Sequence, residues 1–169
     1  AELIENGMVE KEQQIHFATE IRRNAQRLLS LINDIIKLSE LDSSEAQQGF
    51  EQLDLYGLVK DCMKNLQVNA KQRNVALNFD GTDCMVRGNR QLLTELVENL
   101  CQNAIRYNND GGTVNVTVHK LGGKTVLTVE DNGIGIPKDQ QERVFERFYR
   151  VDKSRSKETG GTGLGLAIV

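Results

Sequence analysis

Between Ile15 and Leu41 apolar residues step by threes and fours: Ile15, Ala18, Ile21, Ala25, Leu28, Ile32, Ile35, Leu38 and Leu41. A period this close to 3.5 predicts one helix over roughly Glu10 to Leu41, with a bundle-like seam along it. Leu29, Leu31 and Ile36 widen that seam beyond what two helices need and favour four. Such a rod is about 45 Å long, too long to bury its stripe on a small neighbouring domain. A partner helix or a second protomer is implied. The chain has 169 residues, which leaves room for one ordinary domain beside the helix.

The period breaks at the polar hinge Asp42–Gly49. Beyond it, Phe50–Leu53 reads as a short strand and Asp54 as the cap of a helix from Leu55 to about Gln72. Val75–Phe79 alternates as a strand, Asp80-Gly81-Thr82-Asp83 reads as a turn, and Met85–Arg87 as another short strand. A helix from about Arg90 to Tyr107 follows. Thr113–Lys120 and Lys124–Glu130 are β-rich runs joined at Leu121-Gly122-Gly123, a strong hairpin signal. A helical stretch is expected near Asp139–Phe148, and Leu164 begins a last helix. Before the long helix, Ala1–Glu5 reads as a helix end broken by Asn6-Gly7. The fold class expected is α+β: a two-layer sandwich preceded by a long helix of a helical hairpin, with the boundary near residues 48 and 49.

Composition excludes several roles. A net charge of -3 and a pI near 5.5 argue against a nucleic-acid partner. No run of about eighteen apolar residues exists to span a membrane, and the acidic start Ala1-Glu2-Leu3-Ile4-Glu5 is unlike a signal peptide. Cys62, Cys84 and Cys101 lack CxxC spacing and read as buried reduced thiols of a cytoplasmic protein.

Four stretches could carry chemistry. On the helix Arg90–Tyr107, Leu93, Leu96, Val97, Leu100, Cys101 and Ala104 share an apolar arc. Glu95, Asn99, Asn103 and Arg106 share the adjoining polar arc, with Tyr107 at its border. Amide oxygens one turn apart beside a base can meet a metal ion and phosphates; a plain solvated face would look the same. Asp131-Asn132-Gly133-Ile134-Gly135-Ile136-Pro137 follows a strand, and its carboxylate could accept from an exocyclic amine or merely cap a turn. Gly161-Thr162-Gly163-Leu164-Gly165-Leu166 runs into a helix, where exposed amides and the dipole suit phosphate. It is neither a Walker loop nor a dinucleotide fingerprint. Phe145-Glu146-Arg147-Phe148-Tyr149-Arg150 interleaves aromatics with arginines able to reach an anion.

In this order the four resemble the conserved boxes of sensor histidine kinases. Asn99–Tyr107 resembles the N box, Asp131–Gly135 the first glycine box, Phe145–Phe148 the F box and Gly161–Leu166 the second glycine box. The long helix resembles the second helix of a dimerisation and phosphotransfer hairpin. The resemblance implies a Bergerat-type ATP-binding fold over 49–169 and a partial hairpin over 1–48. It implies that Asn99 ligates Mg²⁺, that Asn103 and Arg106 contact phosphates, and that Tyr107 lies against the adenine. Asp131 would bind adenine N6, with Gly133 and Gly135 shaping that wall. Gly161, Thr162, Gly163, Leu164 and Gly165 would form the hinge and phosphate rim, and Arg150 would reach the γ-phosphate. Glu95 matches the position where related ATPases place a water-activating base.

The activity implied is transfer of the γ-phosphoryl of ATP to a hairpin His, then to an Asp of a response regulator, in a homodimer held by the hairpin helices. The family's acceptor motif, a His followed at once by an acid, is missing. His16 is followed by Phe17, and His119 falls in a strand. The acceptor is therefore expected upstream of Ala1, with closing strands beyond Val169, in the cytoplasmic portion of a membrane-anchored parent. Two other readings are an ATPase using Glu95 as base, and a nucleotide-binding dimerisation segment without transfer chemistry.

Overall fold

The computed structural model describes residues 10–41, 49–151 and 162–168. Helix α1 spans Lys11–Leu41, as its periodicity predicts. It is followed by β1 (Glu51–Asp54), α2 (Leu55–Gln72), β2 (Ala76–Gly81), β3 (Met85–Gly88), α3 (Arg90–Arg106), β4 (Thr113–Leu121), β5 (Lys124–Asp131) and a short α4 (Gly165–Ile168). The expected helix end at Ala1–Glu5, hinge residues 42–48 and Gly161 lie outside the described residues.

Strand β2 runs parallel to β4, which pairs antiparallel with β5; β1 and β3 form a separate antiparallel pair. Along β4, Val114, Val116 and Val118 point inward and are fully buried, while Asn115 on the opposite face is exposed. Helices α2 and α3 cover the inward face. From α2 come Leu55, Leu58, Val59, Cys62, Met63, Leu66 and Ala70, spaced by threes and fours; from α3 come Val97, Cys101, Ala104 and Ile105. Each Leu, Val, Ile or Met among them contributes about 1.5–3 kcal/mol through burial. The result is the expected two-layer α/β sandwich. The centre of α3's buried face falls one step past the predicted arc: Ile105 is buried, whereas Leu93, Leu96 and Leu100 are only partly covered.

Local chemistry sets the ends. Asn89 caps α3, its Oδ1 accepting from Gln91 N–H at 2.9 Å and Leu92 N–H at 3.3 Å. Asp54 precedes α2 as expected but makes no side-chain capping bond; its carboxylate folds over Gly57 instead. Past α2, Asn74 takes a left-handed φ of 52° and Val75 N–H closes back onto Ala70 O at 2.9 Å, a Schellman-type stop. Gly122 and Gly123 supply the two positive φ values (57° and 78°) of a two-residue hairpin turn. Two expectations need correction. The turn drawn at Asp80 begins only at Thr82, because β2 stays in register with β4 as far as Gly81↔Val118. The helix drawn over Asp139–Phe148 is two 3-10 turns, Lys138–Gln140 and Arg143–Phe145, the second followed by Glu146 in extended geometry.

Helix α1 leans on the sandwich with one edge only. Leu38 is buried, whereas Leu28 and Ile32 on the stripe remain more than half exposed. The predicted stripe therefore stays open in the single chain, as its length required. Among the described residues no helix is long and apolar enough to cross a membrane.

Candidate functional site

The site lies where α3 ends beside the end of β5. The β4–β5 register sets Val114 against Asp131, Val116 against Val129 and Val118 against Leu127. Strand parity therefore puts Asp131 on the helix-facing side of the sheet, just beyond the last turn of α3. Its Oδ1 accepts from Gly133 N–H at 2.9 Å, so the Asx turn forms, and Oδ2 is left for another donor.

The first glycine is required here by close approach. A Cβ on Gly133 would stand 2.9 Å from Asn108 Cα and 2.9 Å from Asp131 Oδ1, and closer still to the Tyr107 carbonyl. That same carbonyl accepts from Ile134 N–H at 3.1 Å. Gly135 differs: its φ is +69° and nothing lies within 4 Å. Three asparagines outside the predicted set complete the junction. Asn132 Oδ1 accepts from Thr113 N–H at 2.7 Å, Asn109 Nδ2 donates to Asn132 O at 2.8 Å, and Asn108 Nδ2 donates to Thr113 O at 3.0 Å. The run Asn108-Asn109 at a helix end was the available signal for such amide bridging.

Along α3 the predicted arc survives: Glu95, Asn99, Asn103 and Arg106 are all half-buried, and Tyr107 is the exposed C-cap. The structure brings the second glycine run to this arc. A Cβ on Gly165 would lie 3.4 Å from Asn99 Oδ1 and 3.9 Å from Asn103 Nδ2, so backbone passes directly over both amides. Leu164 is fully buried and anchors the run. Gly163, with φ +77°, packs on the Phe148–Tyr149 backbone, where a Cβ would come within 2.9 Å. This joins the F-box loop to the rim. Arg150 is half-buried in an open depression shared with Arg143, Glu146, Arg147, Phe148, Tyr149 and Val151. Arg143 stacks over the Tyr149 ring at 4.2 Å.

Two ties reach the site from α1, and no pattern in the sequence pointed to them. Lys37 Nζ pairs with Glu95 Oε1 at 3.1 Å. Thr162 Oγ1 donates to Asp34 Oδ2 at 2.7 Å and accepts from Leu164 N–H at 3.3 Å. The thiols play no part. Burial pushes Cys62 up to about 11 and Cys101 up to about 12, the nearby Cys62 and Glu98 adding to the latter.

Chemically, the arrangement offers a carboxylate for an amine at one end. At the other it offers two amides facing a glycine-rich backbone, with cations nearby. That suits a ligand with an amino-bearing ring and an anionic tail. Among the described residues there is no cluster of three or more His, Cys, Asp or Glu for a metal. A cation here would have to be shared between an amide oxygen and the ligand's own oxygens.

The chain is similar to known proteins over most of its length. Residues 88–169 match the family described as histidine kinase-, DNA gyrase B-, and HSP90-like ATPase. The chain is 42% identical to Sensor-like histidine kinase SenX3 of Mycolicibacterium smegmatis, over 90% of this chain and 40% of that one. To Sensor histidine kinase RppB of Synechocystis sp. it is 41% identical, over 88% of this chain and 33% of that one. The chain thus spans two fifths or less of the curated relatives' length. Among solved structures, Mycobacterial sensor histidine kinase MprB superposes with TM-score 0.62 at 29% identity, over 71% of this chain and 75% of that one. Full-length ShkA, solved in complex with AMPPNP, gives 0.75 at 25% identity, over 98% of this chain and 34% of that one. Residues 88–169 thus carry a domain of the histidine kinase-, DNA gyrase B-, and HSP90-like ATPase family, and the chain is similar over most of its length to segments of sensor histidine kinases.

Proposed function

We propose that the chain supplies the ATP-binding and part of the dimerisation machinery of a protein-histidine kinase, residues 49–169 and 1–48 respectively. The observation that carries this reading is Gly165 lying over Asn99 and Asn103 while Asp131, on the helix-facing side of the sheet, stands just beyond the last turn of the same helix. Asp131 would accept from adenine N6, with Gly133 and Gly135 forming the wall and Tyr107 lying against the ring. Asn103, Arg106 and the Gly161–Gly165 run, including Thr162, Gly163 and Leu164, would hold the phosphates. Asn99 would give an amide oxygen to Mg²⁺, which prefers oxygen donors and is usually held by few protein groups plus substrate phosphates. The ion, when bound, offsets charge on the phosphates. Arg150, one residue from the loop backbone that packs on Gly163, would meet the γ-phosphate.

In the transfer, an acceptor His nitrogen forms a bond to the γ-phosphorus as the β–γ bridging P–O bond breaks and ADP leaves; positioning dominates such chemistry. We place the acceptor on a hairpin His of the longer parent, because neither His16 nor His119 has the acid neighbour expected. An Asp of a response regulator would be the next acceptor, and the open α1 stripe would join two copies in a homodimer. The parent would be membrane-anchored with this portion in the cytoplasm.

The ATPase reading needs Glu95 to activate water. Its Oε1 is held by Lys37, which favours a structural role. The test supplies a hairpin bearing the acceptor His in trans with Mg²⁺–ATP. Acid-labile phosphohistidine that persists in Glu95→Gln supports the kinase. Phosphate release without phosphoprotein, lost in that variant, overturns it.

A further inference from the structure

Thr162 has a single hydroxyl proton, and that proton is given to Asp34 Oδ2 at 2.7 Å. The same oxygen accepts Leu164 N–H at 3.3 Å. Two donors of the glycine rim, one hydroxyl and one amide, are thus turned inward onto a carboxylate of α1 and onto each other. A carboxylate is the side chain that most resembles a phosphate as an acceptor. Asp34 therefore stands to Thr162 as a phosphate oxygen would. Its negative charge also faces the rim where a triphosphate would bring more of the same sign. The dock is not a chance touch, because Lys37 to Glu95 at 3.1 Å and the buried Leu38 fix the same stretch of α1.

We infer that docking of α1 through Asp34 is an autoinhibitory contact, in which the helix carboxylate competes with nucleotide phosphate for Thr162. This rests on the nucleotide reading of the site. Because linkage is reciprocal, whatever undocks α1 raises nucleotide affinity, and nucleotide weakens docking by the same factor. The long helix, which would carry the signal in the intact protein, thereby sets the nucleotide affinity of the domain.

The test is calorimetric titration of this chain with Mg²⁺–ATP at two salt concentrations, with Asp34→Ala and Asp131→Asn alongside. Far-UV circular dichroism verifies that each variant folds. The expected result is about fivefold or more tighter binding in Asp34→Ala, shrinking at high salt, with weakened binding in Asp131→Asn. Unchanged or weaker binding in Asp34→Ala, while Asp131→Asn still weakens it, overturns the inference and leaves the site reading intact. No loss in Asp131→Asn overturns both.

Discussion

Gly133 and Gly135 sit two residues apart in one loop, yet replacing each by Ala should have quite different consequences. At Gly135 a Cβ meets nothing within 4 Å, so the cost is only that of holding Ala at φ +69°, about 1–2 kcal/mol. At Gly133 the added Cβ is pressed against Tyr107 O, Asn108 Cα and Asp131 Oδ1. The Tyr107–Asn108 backbone cannot yield cheaply, and yielding there or at the Asp131 side chain strains two hydrogen bonds. These are Ile134 N–H to Tyr107 O at 3.1 Å and Gly133 N–H to Asp131 Oδ1 at 2.9 Å. Two such bonds are worth about 2–3 kcal/mol together, and the overpacking adds about 1–3 kcal/mol. Gly133→Ala should therefore cost about 3–6 kcal/mol, against about 1–2 kcal/mol for Gly135→Ala. Urea unfolding followed by circular dichroism, extrapolated linearly to water, measures both. Equal losses in the two variants, or a larger loss at Gly135, would refute the claim that close approach dictates the first glycine.

Further outcomes follow from the core and its edges. Leu66→Ala, a substitution at a buried α2 position, should lower unfolding free energy by about 2–5 kcal/mol. Asn132→Ala removes the acceptor of Thr113 N–H, now bonded at 2.7 Å, and should cost about 0.5–1.5 kcal/mol while weakening nucleotide binding. The three cysteines should resist a thiol reagent at pH 8 until urea is added. Since burial raises Cys62 and Cys101 to about 11 and 12, the unfolded chain loses these protons first as pH rises above about 9. Stability should thus be full below pH 9 and fall between there and pH 12; a flat profile would contradict the burial. Replacing Leu28, Ile32 and Ile35 with Ser should abolish concentration-dependent dimerisation in sedimentation equilibrium while leaving the sandwich folded. Retention of the dimer would locate its interface elsewhere.

What could be read from residues alone depended on how local the cause was. Helices α1, α2 and α3 were legible because each repeats an apolar step, and the hairpin because Gly122-Gly123 allows few alternatives. The Asp139–Phe148 segment was not, since its charges and aromatics fit a helix as well as 3-10 turns. In the site, the arc of Asn99 and Asn103 follows from helix geometry. The asparagine bridges among Asn108, Asn109 and Asn132 depend on strand register. The Asp34–Thr162 bond joins residues 128 apart in the chain and has no one-dimensional signature.

The claim that Asp131 reads an amino group from β5 is tested most directly by base discrimination. Affinities for ATP and inosine triphosphate, which lacks the exocyclic amine, should be measured on this chain and on Asp131→Asn. A charged hydrogen bond of about 1.5–3 kcal/mol predicts roughly a 10- to 100-fold preference for ATP, reduced strongly in the variant. Equal affinity of the unaltered chain for both nucleotides would contradict the account.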